Sequence, residues 1–237
     1  MTTRLGAGGE FCWMDLKTRD VAGTAAFLTA ALDWRFAVAE ADWRRATAVF
    51  LAQHRIGGVS DLADPVYPPD TPAHIAYYLA VDDVDRRAEA AEAAGARLVV
   101  PPFDAGDQGR MATLVDPVGA AVSLWQAREF TGWRLPPGLV GGPARMVLAC
   151  PDPHRARHFY RHVLGAVLDA ADIVASPGPA GSAPRWELAV TVADPHEVAA
   201  RVREHGPDRL VWTDQDGRRV ARLVSPEGLT FPLRAAG

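Results

Sequence analysis

Lysine is nearly absent from this chain. Its 25 basic residues are almost all arginine, spread along the whole length. Against 29 acidic residues they leave a formal net charge of -4, with no basic block to act as a nucleic-acid footprint. The shortage of lysine beside abundant alanine reads as GC-rich coding bias rather than function. No apolar run approaches the ~20 residues of a membrane span. The segment from Met1 to Gly9 has no apolar core, so no secretory signal is read there. Cysteine is equally scarce. Cys12 and Cys150 lie in apolar, strand-like runs and read as buried, reduced thiols of a cytoplasmic protein. Nucleic acid and membrane are therefore not expected partners. The chain is expected to act as a monomer or homodimer.

What remains is ordinary for a globular protein: 49% apolar and 23% charged over 237 residues, enough for one large core or two of usual size. The clearest pattern runs from Pro72 to Gln126. His74 to Val81 is apolar, aromatic and bounded by turns, so it predicts a strand. Asp82-Asp83 caps a helix, with Asp85 near its positive end. Val84, Ala88 and Ala91 form one stripe, and Gly95 ends it. Leu98-Val99-Val100 predicts a strand cut off by Pro101-Pro102. Gly109 to Val115 predicts another. Asp116-Pro117-Val118-Gly119 is a tight turn into a final strand, Ala120 to Gln126. The order is βαβββ.

That order repeats. A strand at Glu10 to Thr18 is followed by a helix from Val21 to Leu32 capped by Asp20. Strands follow at 35–41, 47–52 and 56–59, with a turn at Gln53-His54-Arg55. The proline-rich stretch 61–71 reads as a linker. A second linker, rich in proline and glycine, separates the halves. Beyond it come a strand at Ala144 to Cys150 and a helix opened by Asp152-Pro153, lined by Phe159 and stopped by Gly165. A Gly/Pro/Ser loop over 175–183 shortens this copy. The fourth copy has a strand at Arg185 to Val192 and a helix opened by Asp194-Pro195-His196-Glu197. A hairpin turn follows at 214–217, then Ser225-Pro226-Glu227-Gly228, which repeats the turn at Asp116. Matched turns, capped helices and strands in the same order mark internal duplication.

Phe11-Cys12-Trp13-Met14-Asp15-Leu16 with Asp20 and Phe27, Ile56-Gly57-Gly58, Pro72-Ala73-His74, and Asp116-Pro117-Val118-Gly119 with Leu124-Trp125-Gln126 resemble the vicinal oxygen chelate superfamily. That superfamily includes glyoxalases, extradiol dioxygenases and antibiotic-resistance proteins. Asp152 with Phe159-Tyr160, and Ser225 to Gly228, carry the resemblance into the second half. It implies an α+β fold: four βαβββ units paired into two domains with curved mixed sheets and outer helices. The expected domains are residues 10–127 and a shortened 143–234, with a linker at 128–142.

In that family metalloenzymes place His, Glu or Gln ligands on the first and last strands of the units. The resemblance puts Trp13, His74, Ser123 and a position near Ile56 or Gly57 there, and Arg145, Trp186 and Pro232 in the second half. One histidine is not a chelate, so no metal and no cofactor is expected. Equal strand parity then places Trp13, Asp15, His74, Tyr78, Ser123 and Trp125 on one inward face. Trp13, Tyr78, Ser123 and Trp125 are the expected ligand-binding residues, suited to a small, flat, apolar organic molecule. Asp15 and His74 are the candidate catalytic acid and base, with His74 or Arg110 as the partner that would pair a buried Asp15. Glu187, opposite Trp186 in parity, is expected in solvent. Three readings follow: a metal-free binder that sequesters or confers resistance to an aromatic or polycyclic metabolite; a metal-independent isomerase, lyase or cyclase of natural-product biosynthesis using Asp15 and His74; or a non-catalytic scaffold.

Overall fold

The computed structural model describes residues 4–38, 47–176, 183–215 and 218–236. The first half forms β1 (Phe11–Thr18), α1 (Val21–Leu32), β2 (Arg35–Val38), β3 (Thr47–Leu51) and β4 (His54–Asp61). It then repeats as β5 (His74–Ala80), α2 (Val84–Ala93), β6 (Arg97–Asp104), β7 (Gly109–Val115) and β8 (Ala121–Ala127). The second half forms β9 (Pro143–Cys150), α3 (Pro153–His158) with a π-helical turn at Phe159–Val163, and β10 (Ala171–Ala175). It ends with β11 (Arg185–Val192), α4 (Pro195–Arg201), β12 (Leu210–Gln215), β13 (Arg218–Val224) and β14 (Thr230–Ala235). The end of the strand expected over 35–41, most of the loop expected over 175–183, and the tip of the hairpin turn lie outside the described residues.

Two mixed, curved sheets result, in an α+β fold. One has the order β2-β3-β4-β1-β5-β8-β7-β6, the other β10-β9-β11-β14-β13-β12. Within each βαβββ copy of the first sheet the outer strands pair in parallel, β1 with β4 and β5 with β8. The intervening pairs are antiparallel. By contacts the chain divides into two compact units interleaved in sequence. The first holds Met1–Trp13, Ala76–Arg134 and Arg145–Glu187; the second holds Met14–Ile75, Leu135–Ala144 and Leu188–Gly237.

The helices begin where their caps are. Asp20 accepts from the Gly23 N–H at 2.8 Å, Asp83 from Arg86 at 3.0 Å, Asp152 from Arg155 at 2.9 Å and Asp194 from His196 at 2.8 Å. Each carboxylate satisfies an amide that the helix itself leaves unpaired. The two related turns also match. Asp116 Oδ1 accepts from Val118 and Ala120, and Ser225 Oγ accepts from Leu229. Gly119 and Gly228 take φ of 101° and 83°, which a side chain would strain.

Three expectations are corrected. β6 does not stop at Pro101-Pro102 but runs through both. It is the edge strand, and neither proline is in register with β7, because the pairing slips between Leu98 and Val100 and again between Val100 and Phe103. β4 begins at His54 because the turn falls one residue earlier, where Ala52 takes a φ of 50°. Ile173 lies in an additional strand, β10, which pairs in parallel with β9 and takes in Ala175, the first residue of the expected loop. Cys12 and Cys150 are both buried and unpaired with each other, and burial pushes the Cys12 thiol up to about 12. No described helix is long and apolar enough to cross a membrane.

In the second unit Glu227, from the later turn, adds to the cap of α1. Its carboxylate accepts from the backbone N–H of Arg19 at 3.1 Å and Asp20 at 3.3 Å, and from the Thr18 hydroxyl. A negative charge there faces the positive end of the helix. Glu227→Ala is expected to cost about 1–2 kcal/mol, read as a lower urea midpoint with an unchanged slope.

Candidate functional site

In the first unit β1, β5, β7 and β8 bring an aromatic group together on one sheet face. β5 and β8 run in parallel with Tyr78 beside Ser123, and β7 sets Met111 against Trp125 and Thr113 against Ser123. The Trp125 ring meets Tyr78 and Phe130 edge to face, each at 6.1 Å between centroids. Trp13 meets Phe130 at 4.7 Å and 85°. The Trp125 Nε1–H donates to the Phe130 carbonyl at 2.9 Å, which ties the start of the linker to β8. Trp13, Trp125 and Ser123 are buried and form the floor, while Tyr78, Met111, Thr113 and Phe130 are half-buried. The Ser123 hydroxyl is shared with Thr113 at 2.8 Å.

Gly109 makes room for this floor. A Cβ there would stand 2.5 Å from Trp125 Cζ2 and 2.7 Å from the Gln126 carbonyl oxygen. Phe130 and Met111 were not among the expected site residues. The signal for Phe130 was an aromatic side chain inside a Pro/Gly-rich linker, which also carries the buried Trp133.

Asp15 and His74 lie in the second unit. Asp15 Oδ2 accepts from Lys17 Nζ at 2.9 Å and from Ser60 Oγ at 2.6 Å. Lys17 also donates to Ser60 Oγ and the Tyr67 hydroxyl, both at 3.2 Å. Burial alone would pull the Lys17 ammonium down, but the Asp15 charge and hydrogen bond, with Tyr67 behind them, raise it overall. Neither expected partner of Asp15 takes that role. Arg110 is committed to Asp85 at 2.7 Å and Asp104 at 3.1 Å. His74 is exposed, with Nδ1 2.8 Å from the Pro72 carbonyl oxygen. Register explains the outcome: β1 and β4 run in parallel with Lys17 opposite Ser60, which delivers both to Asp15.

The first unit also contains a buried polar chain. The Trp186 Nε1–H donates to the Tyr160 hydroxyl at 2.6 Å, and that hydroxyl donates to Asp116 Oδ2 at 2.8 Å. Burial raises the Asp116 carboxyl, opposed by its hydrogen bonds to backbone and Tyr160. Glu10, also buried and also raised by burial, accepts from the Asp169 N–H at 2.5 Å. Glu187 is not in solvent. It is 6% exposed, because β11 lies inside its sheet and both its faces are covered.

Residues 12–124 match the Glyoxalase/Bleomycin resistance protein/Dioxygenase superfamily, and the chain belongs to it. It is 30% identical to the anthracycline biosynthesis protein DauV of Streptomyces sp. (strain C5), over 96% of this chain and 93% of that protein. It is 27% identical to CFP32 of Mycobacterium tuberculosis (strain CDC 1551 / Oshkosh), which carries a provisional glyoxylase name, over 93% of this chain and 92% of that one. The Mn(II)-bound glyoxalase from Novosphingobium aromaticivorans shares the fold at a TM-score of 0.61 and 15% identity, over 97% of this chain and 82% of that one.

Metal-dependent members of such a family need a set of hard or borderline donors around open positions. The residues here do not supply it. In the first unit the positions hold Trp13, an indole, and Ser123, a hydroxyl already shared with Thr113. In the second they hold the apolar Ile56 and the exposed His74. Arg145 is spent on Asp172 at 2.8 Å, Trp186 on Tyr160, and Pro232 has no donor atom. Among the described residues no group of three or more His, Cys, Asp or Glu side chains is placed to hold a metal ion.

Proposed function

We propose that this chain binds a flat aromatic or polycyclic metabolite without a metal ion, on the aromatic face of its first unit. The observation that carries this reading is the cluster of Trp13, Tyr78, Trp125 and Phe130, in which two indoles form a floor and two half-buried rings remain to be covered. Half-buried rings offer aromatic surface to a planar guest, and aromatic contacts add to plain area burial. Thr113, half-buried and held by Ser123, places a hydroxyl beside the rings to orient an oxygen-bearing ligand. DauV is named for the biosynthesis of anthracyclines, which are planar and polycyclic, and that supports this ligand class.

The same name favours a second reading, metal-independent conversion of such a molecule within a biosynthetic sequence. Incubation with an anthracycline followed by mass analysis separates the two. A binder returns the compound unchanged and in stoichiometric amount; a catalyst returns a product in excess of protein. Both readings share one expectation about metals. Dialysis against EDTA should leave the thermal midpoint unchanged, and the purified protein should carry no stoichiometric Mn, Fe, Ni or Zn. A midpoint lowered by EDTA and restored by one of these ions would contradict the donor count.

A further inference from the structure

Lys17 is the one lysine in a chain that otherwise uses arginine. It is half-buried, and all three hydrogens of its ammonium are engaged, on Asp15, Ser60 and Tyr67. Ser60 passes its own hydrogen to Asp15. Tyr67 accepts from Lys17, and among the described residues its phenolic hydrogen has no acceptor. The uncommitted proton of this four-residue network therefore sits on Tyr67, which is half-buried.

The segment that carries Tyr67 is held in place. The Arg19 guanidinium donates to the carbonyl oxygens of Leu62 at 3.2 Å, Thr71 at 3.1 Å, and Pro69. The Tyr67 N–H donates to the Asp64 carbonyl at 3.0 Å. Three carbonyls on one guanidinium fix both ends of the stretch and keep the phenol over the cation, whose Nζ is 5.0 Å from the ring centroid.

We propose that Tyr67 and Lys17 form a second binding site, within the second unit, for the oxygen of a phenol or an enolisable ketone. Tyr67 donates its free hydrogen to that oxygen. Lys17 donates to Tyr67 and so strengthens it as a donor, since hydrogen bonds in series polarise one another. Fixed donors of this kind favour the form of a ligand whose oxygen carries negative charge. Asp15 balances the Lys17 charge, so the site suits a single delocalised oxyanion rather than a phosphate or other polyanion. It stands on residues of the second unit alone and is independent of the aromatic face.

The test uses 4-nitrophenol with the full chain, because its absorbance separates neutral from ionised phenol. Saturable binding is expected, with the ionised fraction raised at a pH below the value for the free phenol. Tyr67→Phe keeps the ring and should weaken binding about tenfold or more. Lys17→Gln keeps Tyr67 and should abolish the spectral shift. Thermal melting of both variants confirms that they are folded. No saturable shift, or the same affinity in Tyr67→Phe, overturns the proposal. So does a shift lost in Tyr78→Ala but retained in Tyr67→Phe, which would put the probe on the aromatic face.

Discussion

Asp116→Ala is expected to lose about 3–5 kcal/mol of folding stability. The side chain is 4% exposed, and Tyr160 and Trp186 beyond it are 0% and 3% exposed. Removing the carboxylate strands the N–H groups of Val118 and Ala120 and the Tyr160 hydroxyl at once. Each buried donor left without an acceptor costs about 1–3 kcal/mol. Thermal unfolding should fall by about 10 °C. Asp116→Asn is the gentler comparison, and it also tests the sign of the pH effect. Burial raises the folded carboxyl above its ordinary value of 3.8. The folded state then holds the proton more tightly than the unfolded chain. This contribution is fully present below the ordinary carboxyl value and is lost as pH rises through the raised one. The stability of the native protein relative to Asp116→Asn should therefore grow as pH is lowered through that window. A difference independent of pH would mean that Asp116 titrates normally.

Tyr78→Ala is expected to weaken binding of an anthracycline about tenfold to hundredfold, since a covered aromatic contact contributes about 1–3 kcal/mol. Tyr78 is the better probe than Trp125. It is half-buried and its loss leaves the floor in place, whereas Trp125 also holds Phe130 through its indole N–H. Trp125→Ala should lose affinity and stability together. Quenching of tryptophan fluorescence reads both variants, because Trp13 and Trp125 lie under the proposed ligand. Unchanged affinity in Tyr78→Ala would show that the ligand binds elsewhere.

Features governed by near neighbours in sequence were the legible ones. Asp20, Asp83, Asp152 and Asp194 announce their helices because a cap acts on an amide two or three residues away. The Asp116 and Ser225 turns are legible for the same reason. Trp13 and Trp125 were readable as inward because strand parity needs only one fixed reference residue. What escaped depends on distant chain. Lys17 lies two residues from Asp15 on the same strand face, so parity alone could have paired them, but Ser60 reaches Asp15 across 45 residues and Tyr67 reaches Lys17 across 50. Pro101-Pro102 argues against a strand until β6 is known to be the edge. Glu187 reads as a surface residue until both faces of β11 are seen to be buried. Phe130, in a linker, has no period to read at all.

The central claim is that this superfamily member binds a planar polycycle without a metal. Calorimetric titration of the EDTA-dialysed protein with an anthracycline tests it most directly. One saturable site per chain is expected, with a negative heat-capacity change from apolar burial, and with the same affinity when Mn(II) or Zn(II) is present. Binding that appears only after a divalent ion is restored, or no binding at all, would contradict it.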